Sequence, residues 1–165
     1  MKVNTEKVVV LKKVKAILVD MLNQAKSAIV DAQTEANYHI GAMQSRYDTF
    51  KEEAQYLVAA QQIRVIDLEQ KISQCDNLII KLNSPNFKFN TIEMGAMFSV
   101  IDFDGNKRRY FFITPGGNGI VENINNKPIL CVSIDAPVIK AYVGLSENDY
   151  PDTDNEKDEC IEFVI

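Results

Sequence analysis

Asp48 and Glu52 stand four residues apart in a stretch free of Gly and Pro, so on a helix both carboxylates project from one face. That pair can share an oxygen-seeking divalent cation. The same residues also have a plainer use. Ser45-Arg46-Tyr47-Asp48 reads as a helix capping box with Asp in the usual Glu place, and acids in a first helical turn are favoured by the helix dipole. Glu52 with Glu53 then becomes a solvated face. Both readings stand on the sequence.

A second segment with chemical character runs from Cys131 to Gly144. Its centre, Ala136 to Val143, suits a short helix with Pro137 in the first turn, Gly144 as terminator and Asp135 as cap. The other polar clusters carry less. His39 has no second His or Cys beside it, and a surface side chain is the expected role. Gly116-Gly117-Asn118-Gly119 lacks both the strand-to-helix context and the Lys-Ser/Thr of a phosphate loop, so a turn is expected. Glu147 to Glu159 holds seven acids, with Asp152, Asp154 and Glu156 at calcium-loop spacing. The central Gly and closing Glu of such a loop are missing, which leaves an acidic loop.

The elements that must position these residues follow from periodicity. Leu11, Val14, Leu18, Met21, Ala25, Ala28 or Ile29, Ala32 and Ala36 recur at three-four spacing, which predicts a long amphipathic helix. A second stripe runs through Tyr47, Phe50, Ala54, Leu57, Gln61, Val65, Leu68, Ile72, Cys75 and Ile79, with Gln61 its one uncharged polar member. Two helices with one apolar stripe each, joined around Gly41, bury those stripes against each other as an antiparallel coiled-coil hairpin. Pro85 breaks the pattern and marks a boundary, giving an arm over 1–83 and a second domain over 84–165. Beyond it, Met97 to Phe103, Arg109 to Thr114, Ile129 to Ile134 and Cys160 to Ile165 read as strands, with Asp104-Gly105-Asn106 a hairpin turn between the first two. The fold class is α+β, a helical hairpin followed by a small antiparallel sheet.

Composition narrows the function. At 165 residues, 46% hydrophobic and 25% charged, the chain has material for one or two small soluble domains. No run of about 18 apolar residues crosses a bilayer, and Lys12, Lys13 and Lys15 interrupt any secretory h-region, so no membrane role and a cytoplasmic location are expected. Cys75, Cys131 and Cys160 are odd in number and widely spaced, which predicts reduced thiols rather than disulfides or a zinc site. The net charge of −5 is uneven: residues 1–84 carry 11 Lys/Arg against 10 Asp/Glu, and residues 85–165 carry 7 against 13. An acidic second domain argues against direct binding to nucleic acid, whose phosphates need a basic surface.

The Cys131 to Gly144 segment resembles the Gre transcript-cleavage factors. In that family a run of the form I-S-x-x-S-P-x-x-x-A-L-x-G lies in the carboxy-terminal domain, and here Ser133, Pro137, Ala141 and Gly144 fall in register. Gly95 with the strand after it, the acidic turn at Asp102 to Asp104, and Tyr110 opening the next strand recur in the family's order. The Ser133-Ile134-Asp135-Ala136-Pro137 version is similar to the GreB branch, with Ala136 in place of the family's serine. In the arm, the family's apex motif D-L-x-E-N-x-E-Y compares with Asp48-Thr49-Phe50-Lys51-Glu52-Glu53-Ala54-Gln55-Tyr56, one residue longer. Aligned from Tyr56, Glu52 meets the family's central glutamate and Thr49 its aspartate, with Asp48 one step before.

The resemblance implies a sheet domain like FKBP, a monomer, and RNA polymerase as partner, docked through Ser133, Asp135 and Pro137. It implies that the arm enters the polymerase secondary channel, where Asp48 and Glu52 act catalytically by holding a Mg²⁺ shared with the polymerase active site. Cleavage of backtracked RNA is then stimulated in trans; the chain itself is not an enzyme, and it meets nucleic acid only within the elongation complex. Two other functions fit the same sequence: a channel-occupying regulator that does not promote cleavage, and a coiled-coil adaptor that self-associates through the hairpin.

Overall fold

A computed structural model describes residues 2–38, 44–85, 87–102, 107–152 and 159–165, and within these the side chains of all but 2, 3, 36, 38, 44–48 and 118. The hairpin apex with Gly41 and His39, the Asp104-Gly105-Asn106 turn, and Asp154 with Glu156 lie outside the described residues. The order is α1 (Lys2–Tyr38), α2 (Gln44–Asn83), β1 (Met97–Asp102), β2 (Arg108–Ile113), β3 (Asn118–Ile124), β4 (Lys127–Val132), a short 3₁₀ turn (Pro137–Ile139) and β5 (Glu159–Val164). The fold is therefore α+β, two long helices followed by a five-stranded sheet. No helix among the described residues is long and apolar enough to cross a membrane.

The chain divides into two compact units, one of Met1–Val14 with Gln74–Ile165 and one of Lys15–Ser73. In the Lys15–Ser73 unit α1 and α2 run antiparallel. Lys26 Nζ meets Glu69 at 2.9 Å, while Gln33 and Asn37, further along α1, share a groove with α2 residues nearer its start, Ala54 and Val58 among them. Leu18, Ala25, Ala32 and Leu68 are buried, as their spacing requires. Two stripe residues differ from expectation, Phe50 at 41% exposed and Leu57. Leu57 is 48% exposed, and Val58 takes the inward place. The reason is the heptad: 54, 58, 61, 65, 68, 72 and 75 alternate steps of four and three, which keeps one seam facing α1, and position 57 falls off that seam.

In the other unit the sheet order is β3-β4-β2-β1-β5. Three of its pairings are antiparallel, and β2 pairs with β4 in parallel. The parallel pair arises from β3, a strand missing from the periodicity reading. The Thr114 to Gly117 stretch turns the chain, but Asn118 and Gly119 already belong to β3, where a bulge between Asn118 and Val121 accommodates Gly119 at φ 70°. Asn125 and Asn126, at φ 52° and 61°, then make the two-residue turn into β4. A left-handed Asn pair between apolar runs was the available signal for that hairpin.

The sheet is covered on both faces. The row Val121, Leu130, Phe111, Phe98, Val164 lies on one face, where Phe98 and Phe111 meet the Tyr142 ring at 5.8 and 6.5 Å. Met97, Phe112 and Cys131 lie on the other face. There the start of α1 packs: Lys7 Nζ sits 5.7 Å from the Phe112 ring centre and Lys13 Nζ bonds Glu122 at 2.7 Å. Lys7 continues the α1 seam, seven residues before Val14, and is fully buried.

Candidate functional site

The Ser133 to Leu145 segment is built from tight turns pinned by two buried side chains. Ala136 N–H donates to Ser133 O at 3.0 Å, Ile139 N–H to Ala136 O at 3.1 Å, and Tyr142 N–H to Ile139 O at 2.9 Å. Ile139 and Tyr142 are 0% and 4% exposed, so they anchor the segment on the sheet. Pro137 opens the 3₁₀ turn, as its fixed φ and missing N–H favour, and Gly144 closes the segment at φ 87° with its N–H on Ile92 O. The helix expected over Ala136 to Val143 is thus reduced to a three-residue 3₁₀ piece followed by turns. Asp135 is not its cap: the cap position is Ala136, extended at φ −65° and ψ 130°, with no side-chain cap bond.

That geometry separates the anchoring residues from the presented ones. Ser133 is half-buried, its hydroxyl accepting the Asp135 N–H at 3.2 Å, which directs the chain into the turn. Asp135, Pro137 and Val138 are exposed on the outside of the same turn. Sequence reasoning found Ser133, Asp135 and Pro137, and the structure brings these three together; it missed Ile139 and Tyr142, whose apolar i, i+3 spacing was legible.

It also missed what holds Tyr142. The Tyr142 hydroxyl donates to Glu159 Oε2 at 2.5 Å, and Arg109 Nη2 donates to the same Oε2 at 2.6 Å and to the Tyr142 oxygen at 3.1 Å. Burial, followed by the bond to Glu159, raises the Tyr142 phenol above its ordinary range, with Arg109 acting in the opposite direction. Tyr142→Phe keeps the ring against Phe98 and Phe111 but removes the hydroxyl. A stability loss of about 1–2 kcal/mol is expected by urea titration, the size of one hydrogen bond to a charged acceptor. A change within about 0.3 kcal/mol would show that the Arg109–Glu159 pair alone fixes the segment.

In the arm, α2 begins at Gln44, so Ser45 lies inside the helix and not at its cap. Positions 48 and 52 are one turn apart on α2. Glu52 is exposed, and the side chain of Asp48 lies outside what is described. Two carboxylates supply only a fraction of the six or more oxygens that a hard divalent cation takes, so the pair suits a cation completed by other ligands. Among the described residues no group of three or more His, Cys, Asp or Glu is gathered to hold a metal. Cys75 and Cys131 are buried; burial, with the Glu122 charge adding and Lys13 opposing, pushes the Cys131 thiol up to about 11. Cys131 is therefore a thiol at neutral pH and a poor nucleophile.

No family model matches this chain, and no curated protein matches it. Solved structures do. GreA factor homolog 1 (Gfh1) of Thermus thermophilus is 15% identical over 92% of this chain and 94% of its own, with a TM-score of 0.33. A structure of the transcription factor Gfh1 is 16% identical over 91% and 92%, also at 0.33, and Thermus aquaticus Gfh1 is 16% identical over 90% and 92%, at 0.34. These three neighbours are Gfh1 proteins, the first described as a GreA factor homolog.

Proposed function

We propose that this chain is a Gre-like transcription elongation factor that docks on RNA polymerase through Ser133, Asp135 and Pro137 and presents Asp48 and Glu52 from its helical arm. The observation that supports the reading best is the presented turn. A motif shared with Gre factors is held rigidly from below by Ile139 and Tyr142, while Asp135 has no capping duty and faces solvent beside exposed Pro137 and Val138. An exposed acid and proline on an anchored turn suit recognition, because little ordering entropy is lost on binding.

In this reading the carboxylates of Asp48 and Glu52 supply part of a Mg²⁺ site that the polymerase active centre completes. Held there, such a cation would supply water activation and stabilisation of the leaving oxygen of the RNA phosphodiester. The chain contributes the carboxylates and their reach; the bond that breaks is in the polymerase's own RNA, so the factor is no enzyme by itself.

The test adds the protein and Mg²⁺ to backtracked elongation complexes and follows RNA shortening from the 3′ end. Wild type is expected to accelerate cleavage. The Asp48→Ala/Glu52→Ala double variant should lose about tenfold to a hundredfold of that stimulation with affinity for polymerase unchanged within about twofold. Asp135→Ala or Pro137→Ala should weaken affinity about fivefold to tenfold and leave the saturated rate alone. Binding without stimulation would replace the cleavage reading by a channel-occupying regulator, which the displaced apex motif, with Thr49 at the aspartate's place, specifically favours. Absence of binding would overturn the polymerase assignment.

A further inference from the structure

Helix α2 carries a second apolar face. Tyr56, Ala60 and Ile63 recur at steps of four and three on the side opposite the Val58, Val65 and Leu68 seam, with Ile66 and Ala59, which also lines the groove with α1, at the edge of that face. This face is open: Tyr56 is 77% exposed, Ile63 71% and Ile66 65%. A solvated helix needs one apolar stripe to pack on its partner, and a second apolar face with Tyr56, Ile63 and Ile66 open marks a contact surface.

The residue order along the face specifies its occupant. We infer that two copies of this chain associate through α2 against α2 in antiparallel orientation, about a two-fold axis between Gln61 and Gln62. In that register each Ala60 lies opposite the partner's Ile63, and small fills against large. Each Tyr56 lies opposite the partner's Asp67, a phenol donor against a carboxylate acceptor; Lys71 pairs with one Asp67 oxygen at 2.6 Å, and the other accepts the phenol. Each Glu53 lies opposite the partner's Gln70, whose amide donates. At the flank Ala59 receives the partner's Ile66. A parallel pair would instead set Glu53 on Glu53 and Asp67 on Asp67, stacking like charges in the seam. The charged layers at Glu53 and Asp67 are complementary in the antiparallel orientation and repulsive in the parallel one.

The patch is short, at the low end of the roughly 1,000 Å² that specific interfaces bury, so the association is weak, on the order of micromolar. The monomer expected from sequence is then the dilute-solution state. The inference rests on the arm alone and stands with or without the polymerase reading.

Sedimentation equilibrium of the full chain across the micromolar range should show the mean mass climb from 18.6 kDa toward twice that value. Ile63→Glu, at an exposed site that does not touch the folded core, should weaken association at least about tenfold with an unchanged urea midpoint. Orientation is read by oxidative cross-linking in a Cys160→Ser background: mixed Tyr56→Cys and Asp67→Cys proteins should give the heterodimer in clear excess. A constant single-chain mass, an Ile63→Glu variant that associates like wild type, or predominant Tyr56→Cys homodimers would each overturn the inference.

Discussion

Stability is expected to rise with pH between about 7 and 10.5, and Lys7→Met is expected to abolish that rise. Lys7 occupies a seam position of α1, is wholly buried, and has its ammonium 2.8 Å from the main-chain oxygen of Ile165 and 4.5 Å from the Phe89 ring centre. Burial lowers its pKa from 10.5 to about 7. Below pH 7 the lysine is charged both folded and unfolded, and the full desolvation penalty applies. Between 7 and 10.5 the unfolded chain keeps the proton that the folded chain has lost, so the unfolded state binds more protons and stability grows with pH. Above 10.5 the contribution is flat.

The drop from 10.5 to about 7 sets a ceiling of about 5 kcal/mol. The Ile165 main-chain oxygen and the two ring faces stabilise the ammonium and pull against burial, which places the expected rise at roughly 2–4 kcal/mol. Lys7→Met retains the unbranched stem without the charge and should raise stability at pH 6 by about 1–3 kcal/mol. Urea titrations of both proteins from pH 6 to 10 isolate the effect, since every other group titrates in common. Parallel stability curves would show that the rings and main-chain oxygen hold the ammonium as well as water does.

Gly117→Ala should be among the most damaging single-methyl additions in the chain, with a loss of about 3 kcal/mol or more. A Cβ at Gly117 would stand 2.5 Å from the Val132 carbonyl carbon, 2.7 Å from its nitrogen and 2.7 Å from Thr114 Oγ1. Two of these atoms are backbone and cannot rotate away. Val132 is also held where it is, because its carbonyl accepts the Thr114 N–H at 2.9 Å and β4 pairs with β2 at Ile113. Relief must therefore move the end of β4, from which the Ser133 to Pro137 turn departs. A melting temperature lower by roughly 6–12 °C is expected, along with weaker binding of any partner that reads the turn. A loss below about 1 kcal/mol would mean that the Gly117 loop swings clear of β4. Gly119, with open space where its Cβ would stand, provides a contrast in packing, its own substitution limited by φ 70° alone.

Elements whose information is local were legible in the chain. Three-four spacing made α1 and α2 legible, Pro85 placed the end of α2 within a few residues, and runs of β-branched and aromatic side chains located β1, β2, β4 and β5. Pro137 and Gly144 announced the turns between them. The presented turn was legible for the same reason: Ser133, Asp135 and Pro137 are close in the chain, and their backbone preferences act within it.

Tertiary structure decided whatever depends on partners distant in sequence. The tether of Tyr142 to Glu159 and Arg109 joins residues up to 50 positions apart, and no periodicity connects them. The parallel pairing of β2 with β4 depends on β3 turning back at Asn125 and Asn126, not on any preference within β2. Val58 faces α1 in place of Leu57 because both are apolar, and only the seam that α1 offers distinguishes them. Lys7 is buried although lysine is ordinarily a surface residue, because α1 carries that position onto the sheet, where a main-chain oxygen and two rings accept its ammonium.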